Sequence, residues 1–557
     1  MHSALLLPEI IHEICDSCID EEYEESRRSL VSLAATCISF KNPSLDLLWS
    51  SVPARAFFYV LPARTLEYGN LALNIYTGRR ELNNFDRSLV TNSEWDLFHV
   101  YSRRVRKLEL NDALKVDLPV LNMLFPTRAH VEDALPRLTH LYLPVPSGTV
   151  YTWDGAPVFL VKTLRSVCLF SFFSDAPGFI TSLVESTPTL ASLTIYVADH
   201  DNWKKRFATA CSQTVSQLHH LVEYDGPAFL PQLQLGLASL PSLTRVALDM
   251  VTPFSQRIAP APGSLAFPSL SELKIHTDSI EHLVGFLGGI SDDTQAFGRS
   301  KPLSLTLSTL TSLSTGEFHN LCTFISSFSR FRLCSFDFSA AVHSTPGADQ
   351  EGETLALKTI QPLLRCVSLK VIALDFGTKF VSFDDDDIAE MANAWPDLEI
   401  FKINERTHWG TTSQITLHGL RSFLHACPRL SEVSMCMRID DSERIRPEWH
   451  LTELDRMAKS RYGRALVKLN LLDSVIDASV HVFSAIVLSR LAPNVTVTIT
   501  SPGPQHRIAE LVKEAKLMCW ERDGCIGAWT WDELDGRLKS IGAPYRFKRF
   551  EVLGRAR

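Results

Sequence analysis

The sequence predicts an α/β protein in which a short helical module precedes a long solenoid of stacked repeats. Its 557 residues are too many for one compact core, whereas a solenoid escapes this limit because each repeat contacts only its neighbours. The pattern L-x-x-L-x-L, with conservative swaps, recurs from Val105 onward, and helical stretches such as 179–185, 418–425 and 480–488 lie upstream of several copies. The full matches begin at Val105, Leu138, Leu164, Leu190, Leu243, Leu270, Leu333, Leu369, Leu398, Leu430 and Leu466.

Each repeat is predicted to be a helix, a turn and a short strand. Alternate side chains of a strand point to opposite faces, so the Leu positions point inward and the intervening positions outward. One repeat cannot bury its own apolar surface, so neighbours must stack. Weaker copies lie near Leu218, Leu303 and Val495. Prolines that precede copies are Pro136, Pro188, Pro241, Pro268, Pro396 and Pro428.

This pattern resembles leucine-rich repeats, at a spacing of roughly 25 to 36 residues. The resemblance implies parallel strands along a concave face and helices on a convex face. The Asn or Cys that bonds the turn after the strand in that family is absent, which predicts an irregular array. Its positions hold Ala113, Pro146, Phe172, Ala198, Val251, Asp278, Ala341, Gly377, Arg406, Arg438 and Ser474.

Residues 7–49 predict three short amphipathic helices. Pro8 suits the first turn of a helix, where its missing N–H costs no hydrogen bond. Asn42 and Pro43 are expected to end the second helix. About 45 residues form too small a core to bury every apolar side chain, so some should contact another protein. The apolar stripes are Ile10, Ile11 and Ile14; Leu30, Leu33, Ala34 and Cys37; and Leu45, Leu48 and Trp49.

These helices resemble an F-box, the module that docks a substrate receptor onto a ubiquitin ligase. The resemblance lies in segments 7–14, 33–37 and 45–49, and it implies binding to a Skp adaptor and, through it, to a cullin scaffold. The acidic stretch 20–25 departs from the family pattern and is interpreted as a solvated loop. The alternative is an N-terminal cap of the repeat array. The implied adaptor contacts are Leu7, Pro8, Ile11, Leu33, Cys37, Leu45 and Trp49.

Four regions follow from these patterns: an F-box at 1–52, a helical linker or cap at 53–104, the repeat array at 105–500, and a C-terminal helical cap with a basic tail at 501–557. Within the linker, Trp95, Phe98 and Tyr101 have helical spacing and are expected to cap the open end of the solenoid. The basic tail residues are Arg537, Lys539, Arg546, Lys548, Arg549, Arg555 and Arg557.

The outward strand positions are the candidate substrate surface. They mix both charge signs with tyrosines, which suits protein recognition better than a nucleic-acid stripe. The candidate substrate-binding residues are Tyr142, Tyr196, Arg245, Asp249, Glu272, Lys274 and His276. Further outward positions are Lys107, Glu109, His140, Lys402, Asn404, Glu432, Lys468 and Asn470.

Composition bears on the ligands and the cellular compartment that we expect for the protein. The net charge of -8 argues against general nucleic-acid binding. Twelve cysteines without regular spacing favour a reducing compartment, cytoplasmic or nuclear, over a disulfide framework. Pro8 and Glu9 interrupt the first apolar run, so no secretory signal is expected, and no apolar run is long enough to predict a membrane span.

Motifs for catalysis or metal binding are incomplete. His12 and Glu13 begin an H-E-x-x-H pattern, but Asp16 replaces the second His. His12, Cys15 and Cys18 have ligand-like spacing without a fourth ligand. The carboxylates at 384–387 lack the Gly and Glu of a calcium loop and are expected at a helix N-terminus. Phosphate-binding and nucleophile-elbow motifs are absent from the sequence.

The chain resembles fungal F-box/leucine-rich repeat proteins over essentially its whole length. This resemblance implies a non-catalytic substrate-recognition subunit of an SCF-type cullin–RING ubiquitin ligase. It would need no metal or cofactor and would bind a protein substrate of unknown identity for ubiquitin-dependent degradation. One alternative is a leucine-rich repeat scaffold that does not engage the ligase. The other is a hydrolase with an unrecognised site.

Overall fold

The structure, a computed structural model, divides into two compact units. One comprises residues 1–270 and 285–291, and the other comprises 271–284 and 292–557. The described residues are 7–18, 23–68, 82–110, 118–143, 156–171, 176–197, 209–228, 231–251, 267–289, 302–311, 313–327, 332–340, 354–377, 380–406, 409, 413–440, 463, 465–472, 474–476, 481–492 and 494–498. The predicted region 501–557, with its basic tail, lies outside them.

Three helices begin the first unit: α1 (Pro8–Asp16), α2 (Tyr23–Thr36) and α3 (Ile38–Leu48). Pro8 occupies the first turn of α1, as predicted. The helices share a small apolar core, against which several half-buried side chains pack. The core residues are Ile11, Cys15, Leu30 and Phe40.

Two details of the predicted helices are wrong. The second helix ends at Thr36, and Pro43 lies inside α3, where it removes one backbone hydrogen bond. Helix α3 persists because Phe40 and Ser44 are buried, with the Ser44 Oγ 3.5 Å from the Cys15 Sγ. Residues 23–25 of the acidic stretch form the first turn of α2, not a loop, since a helix N-terminus favours acidic residues.

A compact region links the helices to the repeats. It contains strands β1 (Ser51–Pro53), β2 (Leu66–Tyr68) and β3 (Leu82–Phe85), and helices Ala56–Val60 and Asn92–Ser102. Strands β2 and β3 pair antiparallel. Thr91 and Glu94 form a capping box that starts the second of these helices.

Aromatic rings form the core of this linking region. Phe98 is buried, with its ring centroid 5.7 Å from that of Phe57 and 5.5 Å from that of Trp95. The ring contacts continue from Phe57 to Phe125 at 5.6 Å and from Phe125 to Phe159 at 5.8 Å. The predicted aromatic helix is therefore confirmed, and its ring contacts reach Phe159, in the repeat region.

The first unit contains a parallel sheet whose strands follow the chain order. After β1 come β4 (Lys107–Glu109), β5 (His140–Leu143), β6 (Ser166–Ser171), β7 (Ser192–Val197), β8 (Glu223–Pro227) and β9 (Arg245–Asp249). One row of the register is wholly buried: Val52, Leu108, Leu141, Val167, Leu193, Tyr224 and Val246. The inward Leu positions are confirmed, and β1 is an additional strand that the repeat pattern missed.

The second unit contains a second run of parallel strands, again in chain order. They are β10 (Glu272–Thr277), β11 (Pro302–Thr309), β12 (Arg332–Ala340), β14 (Val371–Asp375), β16 (Ile400–Ile403), β17 (Glu432–Ser434), β19 (Lys468–Asn470) and β21 (Thr496–Thr498). Short pairs join β13 (Thr354–Leu355) to β15 (Phe380–Val381), and β18 (Arg438–Ile439) to β20 (Val475–Ile476).

Helices precede many of these strands, as the sequence predicts. One is Asp385–Ala394, whose N-cap residue Asp384 accepts a hydrogen bond through its side chain from the Asp387 N–H. The acidic run therefore caps a helix, as expected. Other helices in this role are Ala176–Ser186, Pro231–Ala238, Thr315–Ser326, Leu417–Ala426 and His481–Leu491. Within each unit, parallel strands with preceding helices have the order of a leucine-rich-repeat α/β solenoid.

Candidate interaction surfaces

The N-terminal helices expose apolar side chains that their small core does not cover. Ile38 is 86% exposed, Val31 57%, Leu7 51% and Ile10 37%. Exposed apolar side chains that gather on one surface often mark a protein–protein contact, so these four are candidate contact residues. We call Leu7, Ile10, Val31 and Ile38 the exposed apolar set.

The seven residues implied as adaptor contacts do not share one environment. Leu7 and Pro8 are exposed, whereas Ile11 is in the core of the module. Leu33, Cys37, Leu45 and Trp49 are half-buried. Val31 and Ile38 are more exposed than Leu7. Sequence reasoning missed both because they fall outside the apolar stripes of the three predicted helices.

Trp49 makes an internal contact between α3 and the linking region. Its ring centroid lies 4.9 Å from that of Tyr101. Beside it, the Arg104 guanidinium forms a salt bridge with Asp46 and donates to the carbonyl oxygen and the side-chain Oδ1 of Asn42, at 3.2 and 2.9 Å. Strand β1 follows α3 directly and pairs with β4. The helical module is thus joined to the first repeat strand by packing, charge and backbone hydrogen bonds.

The outward face of the first unit's sheet carries two polar rows. One row contains Lys107, His140, Ser166, Ser192, Glu223 and Arg245. The next contains Glu109, Tyr142, Cys168, Thr194, Asp225 and Ala247. Lys107 and Glu109 form an ion pair, with 2.8 Å between Nζ and Oε1, and Arg245 pairs with Glu223.

Two tyrosines from different repeats lie on this face, two strands apart. Tyr142 opposes Cys168 across β5 and β6, and Tyr196 is 46% exposed on β7. Partial burial raises the pKa of both tyrosines, and the nearby Asp225 carboxylate, which shares a hydrogen bond with Tyr196, contributes to the latter shift. Burial and the same carboxylate raise the pKa of Cys168 to about 11. We call Tyr142, Cys168, Tyr196 and Asp225 the tyrosine cluster.

Asp249, the last outward position of the first unit's sheet, has a structural contact. Its Oδ1 accepts a hydrogen bond from the Val251 N–H at 3.1 Å, which fixes the turn after β9. Of the predicted substrate-binding residues, the first unit thus places Tyr142 and Tyr196 on one face, two strands apart, and Arg245 and Asp249 on its last strand.

In the second unit, the predicted substrate-binding residues lie along one strand. Glu272 and Lys274 on β10 form an ion pair with 2.9 Å between Oε1 and Nζ. The His276 Nδ1 lies 2.8 Å from the Ser308 Oγ on β11. These contacts link neighbouring outward side chains to one another, so the face is an organised polar surface.

Further along this sheet, Glu432 lies between two lysines. Its Oε1 is 3.0 Å from the Lys402 Nζ and 2.9 Å from the Lys468 Nζ. Partial burial favours protonation of Glu432, but the two ammonium groups outweigh it and lower its pKa. Lys402 also pairs with Glu405, with 3.4 Å between Nζ and Oε2, so two acids balance two bases on this part of the surface.

Asn404 was predicted to point outward, and this prediction is wrong. It is fully buried with a φ of 49°, and its Oδ1 accepts a hydrogen bond from the Phe376 N–H at 2.8 Å. Asn tolerates this left-handed backbone better than most residues. It bonds the backbone of the neighbouring repeat, much as the family asparagine was expected to do, but two positions before Arg406.

The residues with incomplete metal motifs have other roles. Cys15 is in the helical core, and the Cys18 Sγ donates to the Ile14 carbonyl at 3.3 Å. Across the described residues, no group of three or more His, Cys, Asp and Glu side chains is arranged to hold a metal ion. The ten cysteines that the structure describes are free thiols.

Comparisons with known proteins do not assign a family. No family model matches the chain, and no curated protein matches it. Among solved structures, an internalin (inlF) from Listeria monocytogenes is similar over 69% of this chain and 95% of that chain, with 10% sequence identity and a TM-score of 0.31. In the part of the chain that the structure describes, no helix has the length and apolar character needed to cross a membrane.

Proposed function

We propose that this protein is a non-catalytic substrate-recognition subunit of an SCF-type cullin–RING ubiquitin ligase, acting in the cytoplasm or nucleus. The main support is the exposed apolar set on three helices, which pack against the beginning of a parallel repeat sheet. The helices would bind a Skp adaptor, and the outward strand faces would bind a protein substrate.

The number of exposed apolar side chains on the helical module supports an adaptor contact. A stable interface buries roughly 800 Å² on each partner, and its energy is concentrated in a few central side chains. Four large apolar side chains with exposed fractions from 37% to 86% can serve as such anchors. The contacts of Trp49 and Arg104 would hold the module in a defined orientation to the strands of the first unit.

A scaffold that does not engage the ligase is the second candidate. It is favoured by the internal roles of Ile11 and Trp49, because two of the seven implied adaptor contacts are already used within the protein. The hydrolase alternative gains no support from two cysteines of the second unit. Burial raises the pKa of Cys366 to about 11 and of Cys427 to about 12, which disfavours the nucleophilic thiolate.

A binding experiment with purified adaptor tests the proposal. We expect the wild-type protein to retain the adaptor, and Ile38→Asp to weaken binding by about tenfold or more, because a charge replaces an interface anchor. Val367→Asp is the matched control, since Val367 is 63% exposed and lies in the second unit. If the wild-type protein does not bind the adaptor, the ligase proposal fails and the scaffold function is favoured. If both variants lose binding equally, Ile38 has no specific role in the adaptor contact.

A further inference from the structure

We propose that the tyrosine cluster binds a cationic side chain, presented by an arginine- or lysine-bearing extended segment of a protein partner. This inference rests on the proposed function, in which the outward strand faces bind a protein, and it names the chemistry of that partner. It concerns only strands β5 to β8 of the first unit.

The charges around the cluster favour a cation. The described outward strand positions of the first unit include four carboxylates and two cations, and each cation is already paired with a carboxylate. Burial and the Lys107 ammonium lower the pKa of His140, which favours its neutral form. The carboxylates are Glu109, Glu223, Asp225 and Asp249, and the cations are Lys107 and Arg245.

The strand register places two tyrosines and one carboxylate on the same face of β5 to β8. In the register, Tyr142 opposes Cys168, Cys168 opposes Thr194, and Thr194 opposes Asp225. Tyr196 follows on the same face of β7, so small Cys and Thr side chains lie between two tyrosines and one carboxylate. The face of an aromatic ring attracts cations, and tyrosines are frequent anchors at protein interfaces.

Among the described strands of the second unit, no equivalent cation-binding site is present on the outward face. Among its described outward strand positions there is no tyrosine. Its outward lysines pair with acids: Lys274 with Glu272, and Lys402 and Lys468 with Glu432. The combination of aromatic rings with excess negative charge therefore singles out the first unit.

Binding of labelled peptides to the full-length protein, followed by fluorescence anisotropy, tests the inference. The first probe alternates Arg with Ser, the second replaces Arg with its neutral isostere citrulline, and the third replaces it with Glu. We expect the Arg probe to bind most tightly. Asp225→Asn keeps an oxygen acceptor for Tyr196 but removes the charge, and Tyr196→Leu removes the ring.

Each of these variants should weaken binding of the Arg probe by about three- to tenfold, as for cation–π contacts and close charge pairs. Two controls remove equivalent groups elsewhere: Asp397→Asn, from an exposed pair with Arg429, and Tyr59→Leu, at a tyrosine that is 71% exposed. Neither control should change binding. Circular dichroism melting of each variant checks that it is folded.

Three outcomes would overturn the inference: no preference for Arg over citrulline, tighter binding of the Glu probe, or an equal effect of Asp397→Asn. Adaptor binding is measured on the same preparations. If the wild-type protein prefers the Arg probe but does not bind the adaptor, the result counts against the ligase proposal alone. If it binds the adaptor but shows no preference for Arg, the result counts against cation binding by the tyrosine cluster alone.

Discussion

Arg104 offers a direct test of how the helical module is attached to the repeats. Its side chain is 15% exposed and pairs with Asp46, which is 36% exposed. It also bonds two oxygens of Asn42 on α3 and, through Nε, the Val100 carbonyl at 2.9 Å. Replacing Arg104 with Ala would leave the Asp46 carboxylate and the Asn42 oxygens without these donors.

The expected cost follows from the burial of these groups. Hydrogen bonds to charged groups contribute about 1.5–3 kcal/mol each, but partial exposure of Asp46 screens its charge. We therefore expect Arg104→Ala to destabilise the attachment of α3 by about 2 kcal/mol. Arg429→Ala, which breaks a pair in which both side chains are more than half exposed, should cost about 0.5 kcal/mol.

Hydrogen exchange is the suitable assay, because a chain with two units need not unfold in one step. A loss of 2 kcal/mol corresponds to roughly thirtyfold faster exchange for amides that open with α3 and β1. Strands of the second unit should be unaffected. Unchanged protection of α3 in Arg104→Ala, or an equal effect from Arg429→Ala, would refute this account of the junction.

Two further predictions concern single side chains. Asn404→Ala should destabilise the second unit by about 2 kcal/mol, since it removes a buried acceptor and strains a left-handed backbone; Asn404→Gly should cost less than the Ala variant if the strain matters, and thermal melting of both variants decides this. The Arg64 guanidinium, with help from the Thr91 N–H and hydroxyl, lowers the pKa of Glu94 to about 2 from its ordinary value of 4.5. Since the folded pKa is depressed, the stabilisation is present above about pH 4.5 and is lost as the pH falls toward 2. Helix Asn92–Ser102 should therefore fray over that window, and in Glu94→Gln this pH dependence should disappear from its hydrogen exchange.

The strand periodicity in the sequence was enough to locate most of the repeat strands. Leucines at alternate positions mark the inward face, because a strand with one buried face must repeat every two residues. The weaker copies near Leu303 and Val495 also form strands. Strand β1 could not be predicted from periodicity because Ser51–Pro53 is too short to show a period. It forms through pairing with β4.

The helical module shows where local pattern stops being informative. The sequence identified apolar stripes, but it did not specify which members face the module's own core, which pack on a neighbour and which remain exposed. Tertiary packing placed Ile11 in the core and Trp49 against Tyr101, and left Ile38 exposed. Packing also kept α3 helical through Pro43, against the local preference.

The sequence by itself determined the α/β class, the inward leucine positions and the list of side chains that the strands present outward. It did not determine which of those side chains meet, because that depends on the strand register. Tyr142 and Asp225 are far apart in the chain and fall in one row across β5 to β8 only when these strands align, with Cys168 and Thr194 between them. Tertiary structure alone decided the tyrosine cluster, since backbone pairing between strands from different repeats sets its composition.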